Sequence, residues 1–323
     1  MWDGFGRKAR GKVLSGLRGA GFRDGEGAEK QKRRFWKKEK EIGIALAIAA
    51  GILVTAGGGY AAVHAKRTGA IKNQEMVKDS EVETLTTLEA SSGIIGEGAF
   101  SGNLNLKNIK VPEGVTSIGA GAFAGCLKLE SIQLPESLTS MGAGVFAGCC
   151  NLESIQLPEG VTSIGSGAFS VCYSLESIQV PEGVTSIGDD AFYECYSLES
   201  IQLPEGVTSI GVGAFSYCVS LESIQVPEGV TSIGAGAFSS CVNLESIQLP
   251  ESLEDIGYGL FPESDNFEVI MTQEQKNKWD NRDYWDSDFA RGSRGSSAAS
   301  FEEFLFGSWY NQNGDKNYRI TIR

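Results

Sequence analysis

The 323 residues carry a formal net charge of −13, 42 glycines, seven cysteines and a single histidine, His64. That acidic balance argues against a nucleic-acid partner, because phosphate binding needs Lys and Arg clustered on a folded surface. With no Cys-x-x-Cys or Cys/His cluster, no Ser/His/Asp pair and no phosphate-binding loop, the chain points to no metal, no cofactor and no catalytic centre.

Basic residues crowd the first segment, 1–41, from Arg7 to Lys40. It is Gly-rich and lacks periodic apolar residues, so it reads as disordered. Residues 42–63 then form an uncharged run of 22, which as a helix of about 1.5 Å per residue just spans a hydrocarbon core of about 30 Å. The basic excess on its N-terminal side predicts a type II signal anchor, with 1–41 cytoplasmic and the remainder extracellular. Two alternatives stay open. Small residues at Val63-His64-Ala65 suit cleavage of a secretory signal peptide, giving a secreted product, and the run is also long enough for a buried core helix, against which Gly57-Gly58-Gly59 count. Gly43, Ala47, Gly51 and Thr55 share one face of the run, a spacing that lets two membrane helices approach. Residues 64–82 are polar and patternless and read as a stalk.

From residue 83 the chain becomes periodic. Leu129-Glu130-Ser131-Ile132-Gln133-Leu134-Pro135 recurs at Leu152, Leu175, Leu198, Leu221 and Leu244, always every 23 residues, with Val180 and Val226 replacing the second leucine in two copies. A fixed period of that size overrides the two-domain estimate that length alone would suggest and means one supersecondary unit stacked on copies of itself. Within a unit, Ile155 and Leu157 alternate with Ser154 and Gln156, the pattern of a short strand with one face buried, and Pro158 ends the ladder by removing a donor. Val161 and Ile164 add a second pair of apolar anchors, followed by Ala168, Phe169 and Cys172. Stacking puts like on like, so Phe123, Phe146, Phe169, Phe192, Phe215, Phe238 and Phe261 are expected to form the largest core column. Around Ile95 to Phe100 the motif is degenerate, as a capping unit should be.

The pattern C-x-x-L-x-x-I-x-L-P-x-x-V/L-x-x-I-G-x-x-A-F, carried by Cys149, Leu152, Ile155, Leu157, Pro158, Val161, Ile164, Gly165, Ala168 and Phe169, resembles the BspA-like class of leucine-rich repeat. The resemblance covers about half the chain. It implies a repeat solenoid with short parallel β-strands on one face over residues 83–263, here preceded by one transmembrane helix at 42–63. It also implies a bacterial cell-surface or secreted protein concerned with adhesion and with host or matrix binding.

Candidate binding residues fall into two groups. Glu130, Glu153, Glu176, Glu199, Glu222 and Glu245 stack in one column, and Glu113, Glu136, Glu159, Glu182, Glu205, Glu228 and Glu251 in another. Such a ribbon suits weak Ca²⁺ binding or a basic partner, or simply a soluble face. Tyr173, Tyr193, Tyr196 and Tyr217 occupy variable positions beside the cysteine column and form a candidate aromatic patch, with Asp189 and Asp190 nearby, because tyrosine offers rigid area with a polar tip. Cys126, Cys149, Cys172, Cys195, Cys218 and Cys241 share one repeat position, and with Cys150 they make an odd total. A buried thiol ladder and a disulfide or metal array are the two readings.

Beyond the repeats, 264–290 reads as a C-terminal cap with strand-like Phe267 to Ile270 and a polar, helical stretch holding Trp279 and Trp285. Residues 291–300 read as a flexible linker. In 301–323, Gly307 to Tyr310 and Tyr318 to Ile322 flank a turn and predict a hairpin that either docks on the solenoid or opens a further β-domain. The chain as a whole reads as a membrane-anchored, non-catalytic binding or adhesion module for a protein or glycan ligand on a surface or matrix. The competing reading is a secreted effector or enzyme whose catalytic domain is absent from this chain, with the repeats as its targeting module.

Overall fold

In the computed structural model the described residues are 86–87, 93–262, 267–280, 305–306 and 318–323. The chain divides into units Met1–Ile52 and Leu53–Arg323, and every described residue belongs to the second. The expected basic segment, membrane span, stalk and linker therefore lie outside the described residues. Among the described residues no helix is long and apolar enough to cross a membrane.

The repeats form a parallel β-solenoid with two strands in most coils. The first ladder runs through β1 (Thr86–Thr87), β3 (Asn108–Lys110), β5 (Ser131–Gln133), β7 (Ser154–Gln156), β8 (Ser177–Gln179), β10 (Ser200–Gln202), β12 (Ser223–Gln225) and β14 (Ser246–Gln248). Where its strands pair, residues 23 apart face one another in register, as Ile155 faces Ile178 and Ile201 faces Ile224. Each Ser-Ile-Gln buries its isoleucine and turns its flanking polar residues outward, which is the period-two alternation read from sequence.

The expectation of strands on one face needs correction. A second ladder lies in the later part of the coil: β2 (Ile94–Ile95), β4 (Ser117–Ile118), β6 (Ser140–Met141), β9 (Ser186–Ile187), β11 (Ser209–Ile210), β13 (Ser232–Ile233) and β15 (Asp255–Ile256). The anchors Ile164, Ile187 and Ile210 belong to it, and two residues per coil are too few to register as a strand pattern. Threonine reinforces it from coil to coil. The Thr139, Thr185, Thr208 and Thr231 hydroxyls donate to the carbonyls of Thr116, Thr162, Thr185 and Thr208 at 3.2–3.3 Å. The ladder is interrupted after β6, where Met141 replaces the column's isoleucine, and Ile164 makes only an isolated bridge to Ile187.

The predicted phenylalanine column is realised from Phe123 to Phe238 and extends back to Phe100, whereas Phe261 packs on Phe267 and Phe306 at 5.3 and 5.8 Å. Phe100, Phe123, Phe146, Phe169, Phe192, Phe215 and Phe238 stack with successive ring centroids 5.2–5.6 Å apart, and all but Phe100 are fully buried. The solenoid thus has one continuous aromatic spine.

At the C-terminal end β16 (Phe267–Met271) continues the first ladder on β14, burying Phe267, Val269 and Met271. Helix α1 (Gln273–Trp279) follows directly. It opens with a capping box in which Thr272 accepts from the Gln275 N–H and the Gln275 side chain accepts from the Thr272 N–H. Gln275 also donates to the Pro250 carbonyl at 2.6 Å and Trp279 is fully buried, so the helix is tied to the last coil. β17 (Tyr318–Ile322) docks on β16 in parallel register, Val269 facing Ile320, and Phe306 stacks on Tyr318 at 4.1 Å. The strand expected at Tyr318 to Ile322 thus pairs with the strand that follows the last coil. The other arm of the expected hairpin, 307–310, and Trp285 lie outside the described residues.

Candidate functional site

Each coil turns between its Ile-Gly pair and its cysteine, and the backbone is left-handed at two fixed points of that turn. At the point just before the cysteine the first coils hold Gly102, Gly125 and Gly148, with φ of 69°, 70° and 73°. The next four hold Val171, Glu194, Tyr217 and Ser240 at φ of 59–64°. At the other point glycine is the rule from Gly98 to Gly259, and the exception is Asp190, at φ 52°. A left-handed backbone costs an L-residue with a Cβ about 1–2 kcal/mol, and glycine avoids that cost. The coil around Asp190 and Glu194 therefore holds an acid at both points: Asp190 stands where all the other coils hold glycine, and Glu194 lies in the run of four non-glycine residues from Val171 to Ser240.

The tyrosines meet here as two pairs. Tyr173 and Tyr196 stack at 4.9 Å with rings 5° from parallel, and Tyr193 meets Tyr217 edge to face at 5.8 Å. All four are partly exposed. The Tyr173 hydroxyl donates to Glu194 at 3.4 Å, and Tyr196 hydrogen-bonds the same carboxylate. Burial first, and the neighbouring Glu194 charge second, push both phenols well above the usual tyrosine range. They stay protonated donors to Glu194. Burial, with the Asp189 charge behind it, also raises the Asp190 carboxyl. Asp189 itself accepts the Val212 N–H at 2.8 Å and so ties its coil to the next.

Sequence reading singled out the tyrosines but not Glu194, the carboxylate that collects their hydroxyls. The signal was present in the column of glycines that ends at Gly148, and it acquires meaning only with the backbone conformation.

The other predicted group, Glu153, Glu176, Glu199 and Glu222, lies exposed along the first ladder. Among the described residues no three His, Cys, Asp or Glu side chains come together to hold a metal ion, so the ribbon offers Ca²⁺ no preformed cage. Between residues 129 and 275 the sequence has no Lys, Arg or His at all, and cations sit at the two ends: Lys107 on Glu130 at 3.4 Å, Arg323 on Glu228 and Glu251 at 3.6 and 3.8 Å. A shallow groove of about 430 Å³ runs along the second ladder past Asp189, Val212, Asp255 and Tyr258.

None of the seven cysteines forms a disulfide, and all are buried. The six that share a column form a hydrogen-bonded thiol ladder, each Sγ donating to a phenylalanine carbonyl of the preceding coil at 3.1–3.2 Å, as Cys172 does to Phe146. Burial pushes Cys126 and Cys241 from an ordinary 9.0 up to about 12, and with help from neighbouring thiols it also holds Cys149, Cys195 and Cys218 well above the ordinary range. A thiol whose folded pKa lies above its unfolded one stabilises the fold fully below the unfolded value and loses that contribution as pH rises toward the folded one. Stability is therefore expected to be level near neutrality and to fall from about pH 9 toward pH 12. Melting curves across that range check this, and a Cys172→Ala/Cys195→Ala chain should fall less steeply; an equal slope would mean the thiols do not cause the loss.

A family model described as BspA type leucine rich repeat region matches the chain in 6 copies, over residues 75–197 and 164–290. A solved leucine-rich repeat protein from Bacteroides ovatus is 32% identical over 57% of this chain and 54% of its own, with a TM-score of 0.51. A leucine rich cell surface protein from Faecalibacterium prausnitzii is 31% identical over 55% of this chain and 58% of its own, with a TM-score of 0.44. A leucine rich repeat protein of T. pallidum is 37% identical over 47% and 71%, with a TM-score of 0.45. The chain thus spans just over half the length of the first two. No curated protein matches it.

Proposed function

The chain belongs to the BspA-type leucine-rich repeat family, and from that premise we propose that it is a cell-surface binding or adhesion module, non-catalytic, held by residues 42–63 with its coils outward. The family supports a bacterial repeat protein of surface type, and the basic flank of the apolar run supports the orientation. One observation carries the binding reading. On a scaffold whose coils are nearly identical, the side chains that differ gather at one set of turns, where two tyrosine pairs project from neighbouring coils. Uniform coils supply a rigid frame, and rigid aromatic side chains on such a frame bind at low entropic cost. The ligand is a protein or glycan on a host surface or matrix.

The test uses cells displaying the full chain, offered to immobilised matrix-protein and glycan arrays. The expected result is retention that brief external protease treatment removes and that Tyr193→Ser/Tyr217→Ser weakens at least about tenfold, the scale of a binding hot spot. Retention indifferent to both would refute the surface placement and the site together.

A further inference from the structure

We infer that the tyrosine turns form a receptor for an arginine-rich segment of a partner protein, with a guanidinium seated at Glu194 between the Tyr173–Tyr196 and Tyr193–Tyr217 pairs. This deepens the binding reading above and rests on it. The patch combines the two groups that suit guanidinium: a carboxylate held in place and aromatic rings beside it. Glu194 is held by the two phenol hydroxyls of Tyr173 and Tyr196, so its geometry is set before any partner arrives.

Three further observations point the same way. First, Asp190 occupies a left-handed position where the other coils place glycine, and Glu194 occupies one where three coils place glycine and four place Val171, Glu194, Tyr217 and Ser240. A strained residue is retained where it has work that glycine could not do. Second, the coils around the patch carry carboxylates and no cation from residue 129 to 275, so a basic segment is drawn in and an acidic one repelled. Third, the molecule already shows this chemistry at its own end, where the Arg323 guanidinium lies within 4 Å of Glu228 and Glu251 on successive coils. Arginine is favoured over lysine because its planar fork matches a carboxylate and stacks on rings, whereas an ammonium acts as a point charge. The basic residues 1–41 of this chain are not the occupant, since the proposed topology places them across the membrane.

The experiment measures binding of a short poly-arginine peptide, with poly-lysine alongside, to the full chain reconstituted in lipid vesicles. Three variants accompany the wild type: Glu194→Gln, Glu194→Gly, and Glu176→Gln/Glu199→Gln/Glu222→Gln on the ribbon. Arginine peptide is expected to bind more tightly than lysine peptide. Glu194→Gln should weaken it at least about tenfold, as when one partner of a partly desolvated charge pair is removed. The ribbon variant, although it loses three charges, should change affinity less than about threefold at physiological salt, where exposed charges are screened. Glu194→Gly is the folding control, because it places at this turn the residue that Gly125 and Gly148 place at theirs; its melting temperature should hold or rise while peptide binding is lost. A ribbon variant that loses as much as Glu194→Gln overturns the inference, since binding would then be a general polyanion effect. Peptide that fails to bind wild type, while Tyr193→Ser/Tyr217→Ser still abolishes array retention, overturns the arginine assignment and leaves the binding module standing. Failure of both removes both readings.

Discussion

Phe192→Ala is expected to destabilise the solenoid by about 3–5 kcal/mol, the cost of deleting a buried aromatic side chain and leaving the space unfilled. Phe192 is fully buried, with Phe169 at 5.4 Å on one side and Phe215 at 5.2 Å on the other, both within 7° of parallel. Neither neighbour can move into the gap without leaving its own partner. Repeat proteins are stabilised by each coil and its two interfaces, so a lesion in the middle weakens two interfaces at once. Urea unfolding followed by circular dichroism should therefore broaden or split as the coils on either side of residue 192 lose their coupling. Phe100→Ala, at the partly exposed first position of the spine, should cost much less because one interface is affected and the ring already meets solvent. Equal losses at both sites, or a loss below about 1 kcal/mol at Phe192, would show that the aromatic column is not the coupling element.

The second large effect separates two glycines that the repeat makes look equivalent. Gly165 and Gly188 both follow the isoleucine of the second ladder, in neighbouring coils. A Cβ on Gly188 would lie 2.5 Å from the Ser166 nitrogen and 2.7 Å from the Gly165 carbonyl carbon, both backbone atoms of the coil before it. That coil cannot retreat easily, because the Gly188 N–H donates to the Ile164 carbonyl at 2.8 Å. Gly188→Ala should cost about 1–3 kcal/mol or more, the range for forcing extra volume into a packed site. A Cβ on Gly165 finds nothing nearer than 3.5 Å, ordinary contact distance. Gly165→Ala should therefore fall within about 0.5 kcal/mol of wild type. Matched melting curves of the two single variants decide it, and indistinguishable losses would mean the coils are not spaced as described.

That pair also marks where sequence reasoning stops. The interval of 23 residues, the buried isoleucine of Ser-Ile-Gln, the phenylalanine spine and the single column of cysteines were all legible, since each follows from one coil stacked in register on the next. The resemblance of the repeat to the BspA-like class was legible for the same reason. The second ladder was not, because Ser-Ile is two residues long and acquires its hydrogen bonds from the coils before and after it. Nor was the parallel docking of Tyr318–Ile322 on Phe267–Met271, a pairing between segments far apart along the chain whose local pattern suits a hairpin equally well. At the site, the four tyrosines stood out as departures from a uniform repeat, whereas Glu194 required knowledge of its hydroxyl partners.

What the sequence determined by itself is the identity of the coil and its stacking rule, because periodic burial is a local property multiplied by repetition. What only the tertiary structure decided is how tightly each coil meets the next and which departures from glycine are strained. Spacing between coils and the sign of φ come from the packed array, so Gly165 and Gly188, or Gly148 and Glu194, become physically distinct only once the coils are in place.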